Sequence, residues 1–141
     1  MHHFKLIIIF LLFSTFVKAQ SGSMDPYEIV NINNKKVTKT VDTSVQYVMY
    51  DPHGNTVNAK AKVQLSFARD KLVAAQHIFD GNYQFENYFY YFNMDQLIMI
   101  QYSKNGGEDL YVCAIPNCMI SKWDLSLASA IITSFSKMMQ Y

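Results

Sequence analysis

The sequence has almost no charge of one sign to spare. Twelve Lys and Arg stand against eleven Asp and Glu in 141 residues, a formal net charge of +1 at pH 7. That balance excludes the electrostatic footprint of a nucleic-acid-binding domain, and a polybasic membrane patch with it. Arg69 is the only arginine, which leaves little for bidentate recognition of phosphate or carboxylate. Charged side chains make up 16% of the chain and apolar ones 50%. A disordered chain needs the opposite proportions. The length suits one domain and not two.

Catalytic signatures are equally sparse. Beyond His2 and His3 the only histidines are His53 and His77. His53 sits in a turn beside Asp51 and His77 in a strand-like run. A hydrolase with a His-carboxylate site is therefore a third reading, behind two binding readings and ahead of a purely structural role. No Gly-x-Ser-x-Gly, His-Glu-x-x-His or phosphate-cradling glycine loop occurs. Glu108 and Asp109 are adjacent, so on a strand they point to opposite faces and make no acid pair. Nothing calls for a cofactor, and none is expected.

Long apolar runs are absent too. The longest, Leu6 to Phe13, has eight residues; about 20 are needed to cross a bilayer. His2, His3 and Lys5 precede this run, and Val17-Lys18-Ala19 follows it. Basic start, apolar middle and a small residue at the cut are the order of a secretory signal. The sequence predicts that residues 1–19 are a cleaved signal peptide. Gln20 rather than Cys follows the cut, so no lipid anchor is expected. The leader, ending Lys18-Ala19-Gln20, resembles bacterial export signals, which implies a periplasmic or extracellular product. Without Lys5 and Lys18, residues 20–141 carry 10 basic and 11 acidic side chains, a net charge of −1.

Only two cysteines are present, Cys113 and Cys118. An exported chain meets an oxidising space, where disulfides persist. Four residues around Pro116-Asn117 separate the two thiols, a spacing that suits a bridge across a tight turn. Two thiols with no nearby His are an incomplete zinc set, so no metal is expected.

Against these absences stands a clear period of two. Residues 20–36 read as a loose segment with a possible short edge strand, and 37–141 as a single α+β domain. Val37, Val41, Val45, Tyr47 and Met49 share one face; Thr38, Thr40, Asp42, Ser44 and Gln46 share the other. This alternation marks a half-buried antiparallel strand. Asp51-Pro52-His53-Gly54 is a hairpin turn, and the alternation resumes over Val57 to Phe67. Arg69-Asp70-Lys71 turns the chain into Leu72–Phe79, and Asp80-Gly81-Asn82 turns it again.

Tyr83–Tyr102 reads as a further hairpin around Met94-Asp95. In that register Phe92 opposes Leu97, Tyr91 opposes Ile98, Tyr90 opposes Met99 and Phe89 opposes Ile100. One face then carries Phe89, Tyr91, Ile98 and Ile100. The other carries Tyr88, Tyr90, Phe92, Leu97 and Met99. A slip of one residue exchanges the faces. Asn105-Gly106-Gly107 ends this hairpin, and Leu110–Ile115 starts another.

The last segment changes to the helical period. Leu127, Ala128, Ile131, Ile132, Phe135, Met138 and Met139 fall in one arc of a helical wheel. Ser121 to Asp124 resembles a capping box, with Asp in place of Glu. Strands first and helix last predict an α+β fold: an antiparallel meander of six to seven strands packed on one C-terminal amphipathic helix. The sheet is either open or closed into a small barrel.

The helix is expected to cover one sheet face. The other face, with Tyr88, Tyr90, Phe92, Leu97 and Met99, is then the candidate binding surface. Tyrosine suits such a role, with a flat apolar ring and a polar tip. These readings predict an exported, non-enzymatic binding or interaction domain that meets a protein, glycan or lipid partner. Nucleic acid is not among the partners, and no transmembrane helix remains after signal removal. A lipocalin-like barrel carrying an apolar small molecule is the alternative.

Overall fold

The computed structural model of the protein describes residues 24–79, 87–104 and 109–138. The proposed leader and the turns at Asp80-Gly81-Asn82 and Asn105-Gly106-Gly107 lie outside these residues. The elements run α1 (Pro26–Lys35), β1 (Lys39–Tyr50), β2 (Thr56–Ala68), β3 (Lys71–Ile78), β4 (Asn87–Asn93), β5 (Gln96–Lys104), β6 (Asp109–Ala114) and α2 (Lys122–Met138). The six strands form one antiparallel meander in sequence order. β1 and β6 are its two edges, so the sheet is open and the barrel alternative does not describe it. No helix among the described residues is long and apolar enough to cross a membrane.

Two hairpins turn on adjacent residues with positive φ. Arg69 and Asp70 (51° and 63°) join β2 to β3, and Met94 and Asp95 (50° and 58°) join β4 to β5. Paired left-handed residues match the right-handed twist of the flanking strands. Asp tolerates that region better than most side chains, because its short carboxylate can bond locally. The first hairpin closes differently. Asp51 Oδ1 accepts from the His53 and Asn55 backbone N–H groups at 2.9 and 2.8 Å, and Gly54 takes φ +83°.

Residues 26–35 are helical, which corrects the expectation of a loose segment or edge strand. The physical reason is local. Asp25 caps α1 by accepting from the Tyr27 N–H at 3.1 Å. Pro26 opens the helix, Glu28 sits in its first turn and Lys35 in its last. Each choice favours helix at that position.

The hairpin β4–β5 begins in the expected register and then leaves it. Asn93 opposes Gln96 and Phe92 opposes Leu97, but Tyr91 opposes Met99, Tyr90 opposes Ile100 and Tyr88 opposes Tyr102. A bulge at Ile98 inserts one residue into β5. The extra residue flips everything after it. Ile100 therefore joins Tyr88, Tyr90, Phe92 and Leu97, while Met99 moves to the face of Phe89 and Tyr91.

α2 covers the Tyr88–Tyr90–Phe92 face, the opposite of the expected arrangement. That face is apolar across most of the sheet, with Val45, Ala61, Val63, Leu65, Phe67, Ala75 and Ile100 joining the aromatic side chains. Leu127, Ala128, Ile131 and Phe135 of α2 pack onto it, with the Phe67 and Phe135 rings 5.0 Å apart. The reverse face carries Asp42, Ser44, Gln46, Lys60, Lys62 and Gln64 on β1 and β2. Only the first face offers a continuous apolar seat for a four-turn helix. Complete burial of Tyr90, Phe92, Leu127 and Ile131 contributes about 1.5–3 kcal/mol for each such side chain.

A smaller apolar patch remains on the reverse face, made by Ala74, Tyr91, Met99 and Ala114 with Phe89 and Ile98. Val30 of α1 closes it. The sheet thus has a helix on each side.

Candidate functional site

The first turn of α2 is tied to the middle of the sheet through one carboxylate. Asp124 is buried. Its Oδ1 accepts from the Tyr88 hydroxyl at 2.7 Å and from the Tyr90 hydroxyl at 2.8 Å. Its Oδ2 accepts from the Ser121 hydroxyl at 2.8 Å. Ser121 in turn caps the helix by accepting the Asp124 N–H at 3.0 Å. Half of the expected capping box is therefore present. The carboxylate reaches the hydroxyl of Ser121, and its other oxygen is committed to the sheet. A negative group in the first helical turn also complements the helix dipole. Burial first, and the carboxylate beside them second, hold the Tyr88 and Tyr90 hydroxyls far above the ordinary phenol range. Both phenols stay neutral donors.

Beside this cluster the sheet and helix part to leave a cleft of about 460 Å³. Ser44, Tyr47 and Met49 of β1, Ala59 to Lys62 of β2, His77 and Ile78 of β3, Phe79 just after β3, and Trp123 of α2 line it. Tyr47, Met49, Ala59, Ala61 and His77 lie on the α2 side of the sheet, whereas Ser44, Lys60, Lys62 and Ile78 belong to the reverse face, so the cleft reaches past the end of β3. The two alanines make room, because a larger side chain at either place would fill the floor. The Trp123 indole N–H donates to the Tyr47 hydroxyl at 3.0 Å and fixes both rings. The His77 ring lies 4.0 Å from Phe79 and 5.9 Å from Trp123, centroid to centroid. On the far side of Tyr47, Ser126, Ser129, Ala130 and Thr133 of α2 border a second, more open groove of about 560 Å³ against β1.

His77 is buried, and its Nδ1 has no hydrogen-bond partner. Desolvation lowers its pKa below 6.5, and the nearby Asp124 charge opposes the shift. The imidazole is neutral at pH 7. No carboxylate accepts from or donates to its Nδ1 among the described residues. The other pair considered from the sequence fares no better. Asp51 spends its carboxylate on the His53 and Asn55 backbone and on the Asn55 side chain at 3.0 Å. Those bonds hold its pKa below the usual carboxylate range. Among the described residues no three His, Cys, Asp or Glu side chains gather as a metal would need.

The five residues singled out from the sequence do not make a solvent-facing patch. Tyr88, Tyr90 and Phe92 lie beneath α2, with 4%, 0% and 0% of their surface exposed. Leu97 is half-buried against the same core. Met99 lies on the reverse face under Val30. The aromatic character read from β4 is real, but its ring faces are spent on the core and its hydroxyls on Asp124. Cys113 and Cys118 stand at disulfide distance, with Cα atoms 5.6 Å apart.

Of the cleft residues the sequence singles out only His77, as a histidine; Tyr47, Phe79 and Trp123 escape it as site residues. One signal was available: the only tryptophan stands in the first turn of the helix, off its apolar arc, where core packing alone does not require it. No protein-family model matches the chain, and neither a curated protein nor a solved structure is detectably similar to it.

Proposed function

We propose that this chain is an exported, non-enzymatic binding domain and that its ligand enters the aromatic cleft at the head of α2. One observation carries the reading. The rings of Tyr47, His77, Phe79 and Trp123 line about 460 Å³ of open space together with Ala59 and Ala61, and Ser44, Lys60 and Lys62 add a polar side to the same cleft. Small-molecule sites are concave, mostly apolar and within this range of size. The lining fits a ligand with at least one flat apolar face, such as an aromatic ring or the face of a sugar.

Export rests on the leader and on the Cys113–Cys118 pair, which belongs in an oxidising compartment. The non-enzymatic reading rests on the missing motifs and on how the ionisable groups are used. Asp124 serves three hydroxyl donors, and His77 is wedged between rings.

Trp123 is the sole tryptophan, so its fluorescence reports the cleft directly. Titration with 1-anilinonaphthalene-8-sulfonate, a probe for apolar sites, is expected to quench Trp123 and saturate at one equivalent. Ala59→Phe fills the floor and should abolish the response with little change in melting temperature. A response that survives Ala59→Phe, or no saturable response, would count against the cleft as the site.

A further inference from the structure

Among the described residues the sheet ends at β6, and no described segment pairs with its outer edge. Natural edges are blunted by proline, lysine, a bulge or a covering segment. Among the described residues, β6 pairs only with β5, and none of its six residues is Pro or Lys. Leu110, Tyr111 and Val112 are 56%, 46% and 38% exposed. These three alternate between the two faces, so both sides of the edge are apolar.

The hydrogen-bond phase of this edge follows from one bond. The Ile115 N–H donates inward to the Ile98 carbonyl at 3.0 Å. In an antiparallel ladder both backbone groups of alternate residues point the same way. Tyr111 and Cys113 therefore bond inward to Tyr102 and Ile100, their register partners. Leu110 and Val112 turn their N–H and C=O groups outward.

The side chains add a direction. Tyr88, Tyr102 and Tyr111 stack across β4, β5 and β6, with centroids 5.3 and 4.9 Å apart and planes 8° and 16° from parallel. The interval is close to the spacing of neighbouring strands, about 4.8 Å. The stack stops at the exposed ring of Tyr111, over which the Lys104 ammonium also lies, 5.5 Å from the centroid. A further strand would continue it by placing another ring opposite Tyr111, with apolar residues to either side.

We infer that β6 pairs antiparallel with β6 of a second copy of this chain, about a twofold axis through Tyr111 and perpendicular to the sheet. In this register Tyr111 opposes its own symmetry mate. Leu110 of each copy exchanges both backbone bonds with Val112 of the other, which are the outward-facing groups. The tyrosine stack runs unbroken through six rings, and the α2 faces of both copies stay on one side. The other sheet edge fits less well, because the middle of β1 presents Asp42, Ser44 and Gln46 where Leu110 and Val112 need apolar neighbours. The twofold contact is also self-limiting, whereas β1-to-β6 addition would propagate into a filament.

Register-specific cross-linking tests this. An opposed pair that does not share backbone bonds brings its Cα atoms to about 4.5 Å, within disulfide range. Tyr111→Cys should give a covalent dimer on mild oxidation, and Leu110→Cys should not. Sedimentation equilibrium of the wild-type chain should show twice the monomer mass, with a dissociation constant in the micromolar to millimolar range expected of a small interface. Val112→Pro removes an outward N–H and leaves the β5 ladder intact; it should be monomeric with an unchanged far-ultraviolet spectrum. Val112→Lys serves the same purpose should the proline variant not fold. A wild-type chain that stays monomeric to about 1 mM, open-ended oligomers, or equal cross-linking at both cysteine positions would each overturn the proposal.

Discussion

The hydroxyl of Tyr90, in the middle of β4, donates to the carboxylate of Asp124 in the first turn of α2 across 2.8 Å. Thirty-four residues separate the two. The bond sets where along the sheet the helix begins, and Tyr88 reinforces it from the same strand. A buried carboxylate deprived of donors is costly, so this contact matters more than its count suggests.

Tyr90→Phe keeps the ring and removes one donor from Asp124. It should lower stability by about 1–3 kcal/mol, the cost of an undersatisfied charged acceptor. Tyr90→Ala also empties the ring's place in the core and should cost about 3–5 kcal/mol. Equilibrium urea denaturation of both variants checks the order. Equal losses would show that the hydroxyl contributes nothing.

His77 should make the protein acid-sensitive. Its pKa is depressed below the ordinary 6.5 by burial. Between the folded value and 6.5, the unfolded chain binds more protons, so stability rises with pH there. The contribution is complete above 6.5 and is lost as pH falls towards the folded value. His77→Phe removes the titration and, with it, the unpartnered Nδ1. The difference between the wild-type and variant stability curves should be flat above pH 7 and slope downward below 6.5. A difference curve without slope would contradict the buried neutral imidazole.

The Cys113–Cys118 pair closes a short ring, with a sequence separation of 5. Cross-links stabilise chiefly by restricting the unfolded chain, and less so for short loops. The Cys113→Ser/Cys118→Ser variant should lose about 2 kcal/mol or less, measured by urea denaturation, and should keep its far-ultraviolet spectrum.

α1 should be separable from the main core. Val30 is its one buried residue, set against Tyr91 and Met99. Val30→Asp places an unpaired charge on that patch. Amide exchange should quicken across 26–35 and β4 residues facing it, while the α2 amides stay protected. Uniform quickening throughout would show that α1 is integral to global stability.

Most of the secondary structure is legible in the residues. The alternation in β1 and β2 and the apolar arc of α2 are local periodicities, and each element lies close to its expected place. The turn at Met94-Asp95 was readable from its flanking strands. α1 also carries a local signal, since Asp25 followed by Pro26 is a helix start. The faces were harder. The bulge at Ile98 leaves no mark in an apolar run, since Leu97, Ile98 and Met99 suit either side equally.

What the sequence determined by itself is therefore the kind and order of the elements: a meander of strands followed by an amphipathic helix, with a paired-cysteine spacing near its end. Those properties depend on side chains a few positions apart. Only the tertiary structure decided which face α2 covers, and with it the fate of Tyr88, Tyr90 and Phe92. It also decided where the cleft opens, because Tyr47 and Trp123 meet across 76 residues. An apolar strand face records that it must be buried. It does not record whether a helix of the same chain or a partner will do the burying, because both remove the same surface from water.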